Sequence, residues 1–240
     1  MKLVIALSLI AAPAFAQSVA PAVRSALADP ARPAADRERD AARHAGEIIA
    51  FAGVKPGDKV ADFIMGGGYW TRLLAGVVGP KGRVYAYQPA EFIQFKASYG
   101  TDQDAAVAGR ANVVPTRVSL GAIAFAQPLD AIVTVQNWHD LHLKQMPAGL
   151  AALVAGRLYA ALKPGGTLLV IDHVGAPGTQ DTLHRGDPAA TRIELEKAGF
   201  RLEAQSPLLA APNDPHTASV FDPAIRGKTD QFVYRFRKPR

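Results

Sequence analysis

Residues 60–71 read Val60-Ala61-Asp62-Phe63-Ile64-Met65-Gly66-Gly67-Gly68-Tyr69-Trp70-Thr71. A short apolar strand carrying Asp62, then three glycines, then the start of a helix is an arrangement suited to holding a nucleotide. Glycine lets the backbone turn sharply and approach a ligand closely, and a helix N-terminus offers free N–H groups. Glycine-rich turns also serve packing alone, so this stretch takes its meaning from what flanks it.

Outward from it, the chain alternates. Upstream, Ala41, Ala45, Ile48, Ile49 and Ala52 share one face of a helix expected over Asp36–Ala52, with Asp36 as its cap and Gly53 as its end. Lys55-Pro56-Gly57-Asp58 is a turn before a strand over Lys59–Ile64. Downstream come a helix over Tyr69–Val78, a break at Gly79-Pro80-Lys81-Gly82 and a strand over Arg83–Tyr87. A helix from Pro89 through Phe92 and Phe95 follows, with strands around Val113–Val118 and over Ala131–Val135. A helix over Pro147–Leu162 and the turn Lys163-Pro164-Gly165-Gly166 then lead into a strand over Thr167–Ile171. Apolar strands separated by helices predict a parallel sheet covered on both faces. After a helix near Ala189–Ala198 the pattern changes. Phe200–Leu209 and Asp230–Arg237 read as two strands joined by a long Pro-rich loop, the second alternating as a half-exposed edge strand does. The expected fold is one doubly wound, Rossmann-like α/β domain over 36–240. Its seven-stranded sheet is mostly parallel and ends in an antiparallel C-terminal hairpin.

The chain opens with Lys2, an apolar run from Leu3 to Ala12 and the junction Ala14-Phe15-Ala16-Gln17, the three-part pattern of a bacterial secretory signal. The run is shorter than the ~20 residues a membrane span needs, so export without membrane insertion is expected. Cleavage after Ala16 would place the mature protein in the periplasm or outside the cell. Residues 17–35, rich in Ala and Pro, read either as a free arm or as a segment draped over the domain through Val19, Val23 and Leu27.

Composition narrows the chemistry. The chain has no cysteine, which removes disulfides, thiolate metal sites and a catalytic thiol. Its net charge of +6 comes without a run of five or six basic residues and predicts solubility rather than nucleic-acid binding. The expected partner is a small-molecule substrate. No oligomeric state is legible.

In an open parallel sheet a ligand lies beyond the carboxyl ends of the strands. Asn137, His139, Asp140 and His142 follow one strand there, and Asp172 and His173 follow the next. His139 is the candidate general base, because an unperturbed imidazole titrates near neutral pH, with Asp140 to orient it. Alternatively His139 holds its loop in shape. Tyr69 and Trp70 either stack on a ligand or anchor their helix. His184-Arg185-Gly186-Asp187 either attracts an anionic substrate or sits in solvent. His139-Asp140-Leu141-His142, with His173, His184 and His216 elsewhere, also invites a metal reading. The spacing of His139 and His142 suits two metal ligands on a helix, but no carboxylate motif completes a known site, so no metal is assigned.

Together these residues resemble a class I S-adenosylmethionine-dependent methyltransferase. Residues 60–71 look like that family's first motif, and Leu162-Lys163-Pro164-Gly165-Gly166-Thr167-Leu168 resembles the entry to its fifth strand. More narrowly, the Gly66–Thr71 loop, Asn137-Trp138-His139-Asp140-Leu141 and the C-terminal Phe236-Arg237-Lys238-Pro239 look like a secreted bacterial group of predicted methyltransferases. The resemblance covers roughly residues 33–239. It implies S-adenosyl-L-methionine as cofactor, framed by Asp62, Gly66, Gly67, Gly68, Tyr69, Thr71, Gln88, Glu91 and Asn137. Three departures stand out. Ile64 occupies a position that is usually glycine. Gln88 stands where an acid usually binds the ribose, with Glu91 close enough in sequence to substitute, and Ser119 replaces the usual adenine contact. A nicotinamide-dependent oxidoreductase is disfavoured because the spacing Gly-x-Gly-x-x-Gly is absent.

Overall fold

The computed structural model describes residues 19–240; the signal-like segment 1–16 lies outside them. Seven strands form one sheet: β1 (Lys59–Phe63), β2 (Arg83–Tyr87), β3 (Val113–Thr116), β4 (Leu129–Val135), β5 (Leu162–His173), β6 (Arg201–Ser206) and β7 (Gln231–Arg237). Their order is β3-β2-β1-β4-β5-β7-β6. The first five run parallel, and β7 runs antiparallel to both β5 and β6. The helices are α1 (Pro21–Ala28), α2 (Ala34–Arg37), α3 (Ala45–Ala52), α4 (Tyr69–Val78), α5 (Ala90–Phe95), α6 (Ser98–Val107), α7 (Leu150–Ala161), α8 (Gln180–Leu183) and α9 (Pro188–Lys197). None of the described helices is long and apolar enough to cross a membrane.

Successive strand residues face opposite sides, so each strand feeds two cores. Val60, Val84, Val133 and Leu169 pack under α3 and α4 with Ile48, Ile49, Leu73 and Leu74. Ala61, Phe63, Ile132 and Leu168 pack under α7 and α9 with Val154, Leu158 and Leu195. The strand order reverses between β1 and β4, which opens a crevice at their carboxyl ends.

Several expectations needed correction. The helix expected over Asp36–Ala52 is broken: α2 and α3 are separated by turns, and His44 takes a left-handed backbone, φ 45°. Asp36 is no cap. It is buried and accepts from Arg72 Nε at 2.6 Å and Arg39 Nη2 at 2.7 Å. The Gln231–Arg237 strand is not at the edge; it lies between β5 and β6. Alternation reports which face of a strand is buried, but not which neighbours flank it. The edge on that side of the sheet is β6, which carries Arg201 and Glu203, a charged margin that discourages pairing with another chain. Of the two alternatives for residues 17–35, the described part is docked. Val23 and Ala26 are buried, and a Cβ on Gly76 of α4 would come within 2.9 Å of Ala26 Cβ. Glycine there lets α1 lie close on α4.

Candidate functional site

A cleft of about 220 Å³ opens where β1 and β4 part, floored by Asp62, Ile64 to Gly67 and Asn137 and walled by Arg39, Arg43, Tyr69, Trp70 and Asp140. Its floor is the loop after β1. Ile64 there takes φ 59°, a conformation that costs a β-branched residue about 1–3 kcal/mol. This is the position where the resembling family has glycine, and the backbone shows why. Asn137 holds the strained turn: its Nδ2 donates to Ile64 O at 2.9 Å and Val135 O at 3.0 Å, while its Oδ1 accepts from the Thr134 hydroxyl. Asn137 therefore reaches the cleft as a brace between two strand ends, with its amide already occupied.

Asp62 sits nearly inaccessible at the cleft floor and accepts from the Thr71 hydroxyl at 2.6 Å. Burial pushes its pKa up to about 6, against the opposing hydrogen bonds from Thr71. Thr71 is fully buried and supports Asp62 from behind instead of meeting a ligand. Gly66 and Gly67 line the cleft, and a Cβ built on either meets nothing within 4 Å. Gly68 differs. It is the N-cap of α4 at φ 79°, and a Cβ there would lie 2.4 Å from Ala106 Cβ and 2.8 Å from Arg72 Nη1. Packing of α6 against the loop requires this glycine, so its expected ligand role is corrected.

Gln88 and Glu91 are corrected too. Gln88 is fully buried behind the loop, where Oε1 accepts from the Gly66 N–H at 3.0 Å. It shapes the glycine turn and presents nothing to the cleft. Glu91 points elsewhere, accepting from the Leu120 N–H at 3.0 Å to cap a short 3-10 turn. Neither supplies a ribose-binding acid.

Tyr69 lines the cleft with its hydroxyl committed to Asp40 Oδ1 at 2.6 Å. The Arg43 guanidinium lies 4.5 Å from the centre of its ring. Arg43 has no carboxylate partner among the described residues, and burial together with the nearby Arg39 charge lowers its pKa. The sequence reading missed both arginines. Their i, i+4 spacing ahead of α3 was the available signal, but a charged run of that kind ordinarily marks a solvated face. Trp70, another cleft wall, has its buried Nε1 without a partner.

His139 is not placed as a free base. It is buried behind the cleft, with Nδ1 2.8 Å from Asp172 Oδ1 and Nε2 3.2 Å from Asp140 Oδ1. Burial disfavours the imidazolium, yet the charges and hydrogen bonds of Asp172 and Asp140 outweigh it and raise the pKa to about 10. A group protonated at neutral pH and engaged on both nitrogens cannot accept a proton from a substrate. Burial also raises the cost of a charge on Asp172, but His139 beside it holds that carboxyl below the usual range. Asp140 alone of the expected catalytic pair faces the cleft. His142 is drawn away to Glu194, 3.2 Å from its Nε2.

The His184–Asp187 stretch splits in use. Arg185 is fully buried in a two-pronged pair with Asp214, at 2.7 and 2.9 Å, and pins the long loop before β7. Asp187 caps α9 through the Ala189 N–H at 2.8 Å. The basic charge of Arg185 is spent internally.

No protein family model matches the chain. Solved structures do resemble it. A SAM-dependent methyltransferase from Aquifex aeolicus is 20% identical, with TM-score 0.58, over 90% of this chain and 96% of that one. The N-methyltransferase NodS from Bradyrhizobium japonicum is 12% identical, with TM-score 0.55, over 85% and 97% of the two chains. Aeropyrum pernix fibrillarin, solved with natively bound S-adenosyl-L-methionine, is 15% identical, with TM-score 0.50, over 79% and 73%. At these identities the likeness is one of fold. The chain has the Rossmann-like fold of S-adenosylmethionine-dependent methyltransferases.

Proposed function

We propose that this protein is an exported S-adenosylmethionine-dependent methyltransferase acting on a small molecule or an envelope component, as the secreted group it resembles suggests. The observation that carries this is the cleft at the strand-order reversal, where Gly66 and Gly67 leave open space beside a buried Asp62. The donor set fits the cofactor. Arg43, without a carboxylate of its own, suits the methionine carboxylate, and Asp62 suits the ammonium.

When bound, the cofactor supplies an electrophilic methyl group on a sulfonium. The protein's contribution is positioning, which governs an in-line displacement. With His139 committed to two carboxylates, the favoured methyl acceptor is one that reaches the cleft without a proton to lose. The same lack of a free base also favours a second reading, a binding protein that keeps the fold and no longer transfers methyl groups.

Calorimetry with the purified chain and S-adenosylmethionine tests the cofactor. Binding at pH 8 is expected, and affinity about tenfold weaker at pH 5. The sign follows from Asp62: its pKa of about 6 leaves roughly a tenth of the molecules with the carboxylate the ammonium needs at pH 5. No binding heat at either pH would reject the cofactor. Binding without label transfer from methyl-labelled cofactor into host envelope extracts would favour the second reading. Export rests on Lys2, the apolar run and the Ala16-Gln17 junction. Intact Met1 on protein recovered from the host would overturn it.

A further inference from the structure

Asp172 is fully buried and accepts three N–H groups: the backbone N–H of His139 at 2.8 Å, that of His173 at 2.8 Å, and His139 Nδ1–H at 2.8 Å. A carboxylate so held fixes the imidazole ring and turns Nε2 the other way. Nε2 faces Asp140 Oδ1 at 3.2 Å, and His184 Nδ1 reaches the same oxygen at 3.6 Å. One ligand atom from each of His139, Asp140 and His184 lies within 4.8 Å of the others.

We propose that His139, Asp140 and His184 bind a divalent first-row transition metal of the zinc class, with Asp172 as the carboxylate that orients His139. Two imidazoles and a carboxylate are a donor set such ions take, the ion displacing to solvent the proton that otherwise joins His139 Nε2 to Asp140. The spacing fits as well. A tetrahedral ion ~2.0–2.1 Å from each donor holds the donors about 3.3 Å apart. The two pairs that share Asp140 Oδ1, at 3.2 and 3.6 Å, are close to this. All three donors lie within 4.8 Å of one another, so the two imidazoles close together as the ion binds. His184 is delivered by α8, which ends on it in a left-handed conformation, φ 52° and ψ 50°. A non-glycine residue in that conformation stores strain of the kind found at functional sites. Phe221 backs the His184 ring, with ring centres 4.8 Å apart. Three protein donors leave a fourth position open, the pattern of a site that takes water or substrate. Because Asp140 also lines the cleft, the ion lies at the cleft's rim. His184 is remote from His139 in the chain, so the site is invisible to motif spacing. It does not depend on cofactor binding.

The test uses the full chain without a polyhistidine tag, stripped with EDTA and titrated with Zn²⁺, then with Co²⁺. One equivalent of Zn²⁺ is expected to bind at micromolar concentration or below, and Co²⁺ is expected to give the visible spectrum of a four-coordinate nitrogen–oxygen site. His184→Ala, on a half-buried loop, should weaken Zn²⁺ at least about a hundredfold and abolish that spectrum, with the melting temperature of the stripped protein checking that it is folded. Asp172→Asn should weaken it about 10–100-fold; should that variant fail to fold, His184→Ala alone decides. A wild-type protein that takes up no Zn²⁺ would show that only a proton joins Nε2 to Asp140, and would overturn the site. Undiminished Zn²⁺ affinity in His184→Ala would place the metal elsewhere and overturn it equally.

Discussion

Gly68→Val is expected to destabilise the domain by roughly 3 kcal/mol or more, whereas Gly67→Val should leave it folded with cofactor affinity at least about tenfold weaker. Position 68 has φ 79°, and a side chain there meets Ala106 at 2.4 Å in the packed contact between α4 and α6. Left-handed backbone costs a branched residue ~1–2 kcal/mol, and overpacking adds ~1–3 kcal/mol. Position 67 has neither burden: its φ lies outside the left-handed range and nothing lies within 4 Å of the added Cβ. Its valine would stand in the space where the cofactor meets the loop. Stability should therefore move by no more than about 0.5 kcal/mol, while cofactor affinity falls at least tenfold, or ~1.4 kcal/mol. Urea unfolding and calorimetry on the two variants check this. Equal unfolding midpoints would mean that α6 does not close on the loop as described.

His139→Ala should cost about 3–5 kcal/mol of stability, measured by urea unfolding in EDTA. Removing the imidazolium leaves Asp172 fully buried with its charge uncompensated, the costly way to break a buried pair. Asp172 keeps its two backbone N–H donors, which places the loss nearer the lower end. A histidine serving as a solvent-facing base would behave otherwise, losing the chemical step while the unfolding midpoint stayed put. Unchanged stability in the alanine variant would restore the catalytic role.

Much of the architecture was legible along the chain because it is written in local periodicity. The two-residue period of Val60 and Asp62 against Ala61 and Phe63 marks β1 as covered on both faces, and the glycines after it mark the turn. Of the residues expected at the site, Asp62, Gly66, Gly67, Tyr69, Asn137 and Asp140 line one cleft. What failed was the distinction between residues that face the cleft and residues that build it. Gly68, Thr71, Gln88 and Glu91 lie within a few positions of cleft residues, yet each turns its side chain, or the room for one, into packing. A motif records neighbours in sequence, and a difference of one residue in a tight turn redirects a side chain by a wide angle.

The doubly wound sheet, the place of its crevice and the loop that floors it could be read along the chain, since hydrophobic period, turn residues and strand-end position are properties of consecutive residues. Who meets whom across the chain came only with the folded structure. It placed β7 between β5 and β6, docked α1 on Gly76, and set Arg43 over Tyr69. It also enclosed His139 between Asp172 and Asp140 with His184 beside them, which turned an expected base into a buried cation in the metal-free protein and, once its Nε2 proton is displaced, a candidate metal ligand. The reason is that pKa, burial and coordination depend on charges and donors a few ångströms away, and in a wound α/β sheet those come from residues far apart in the chain.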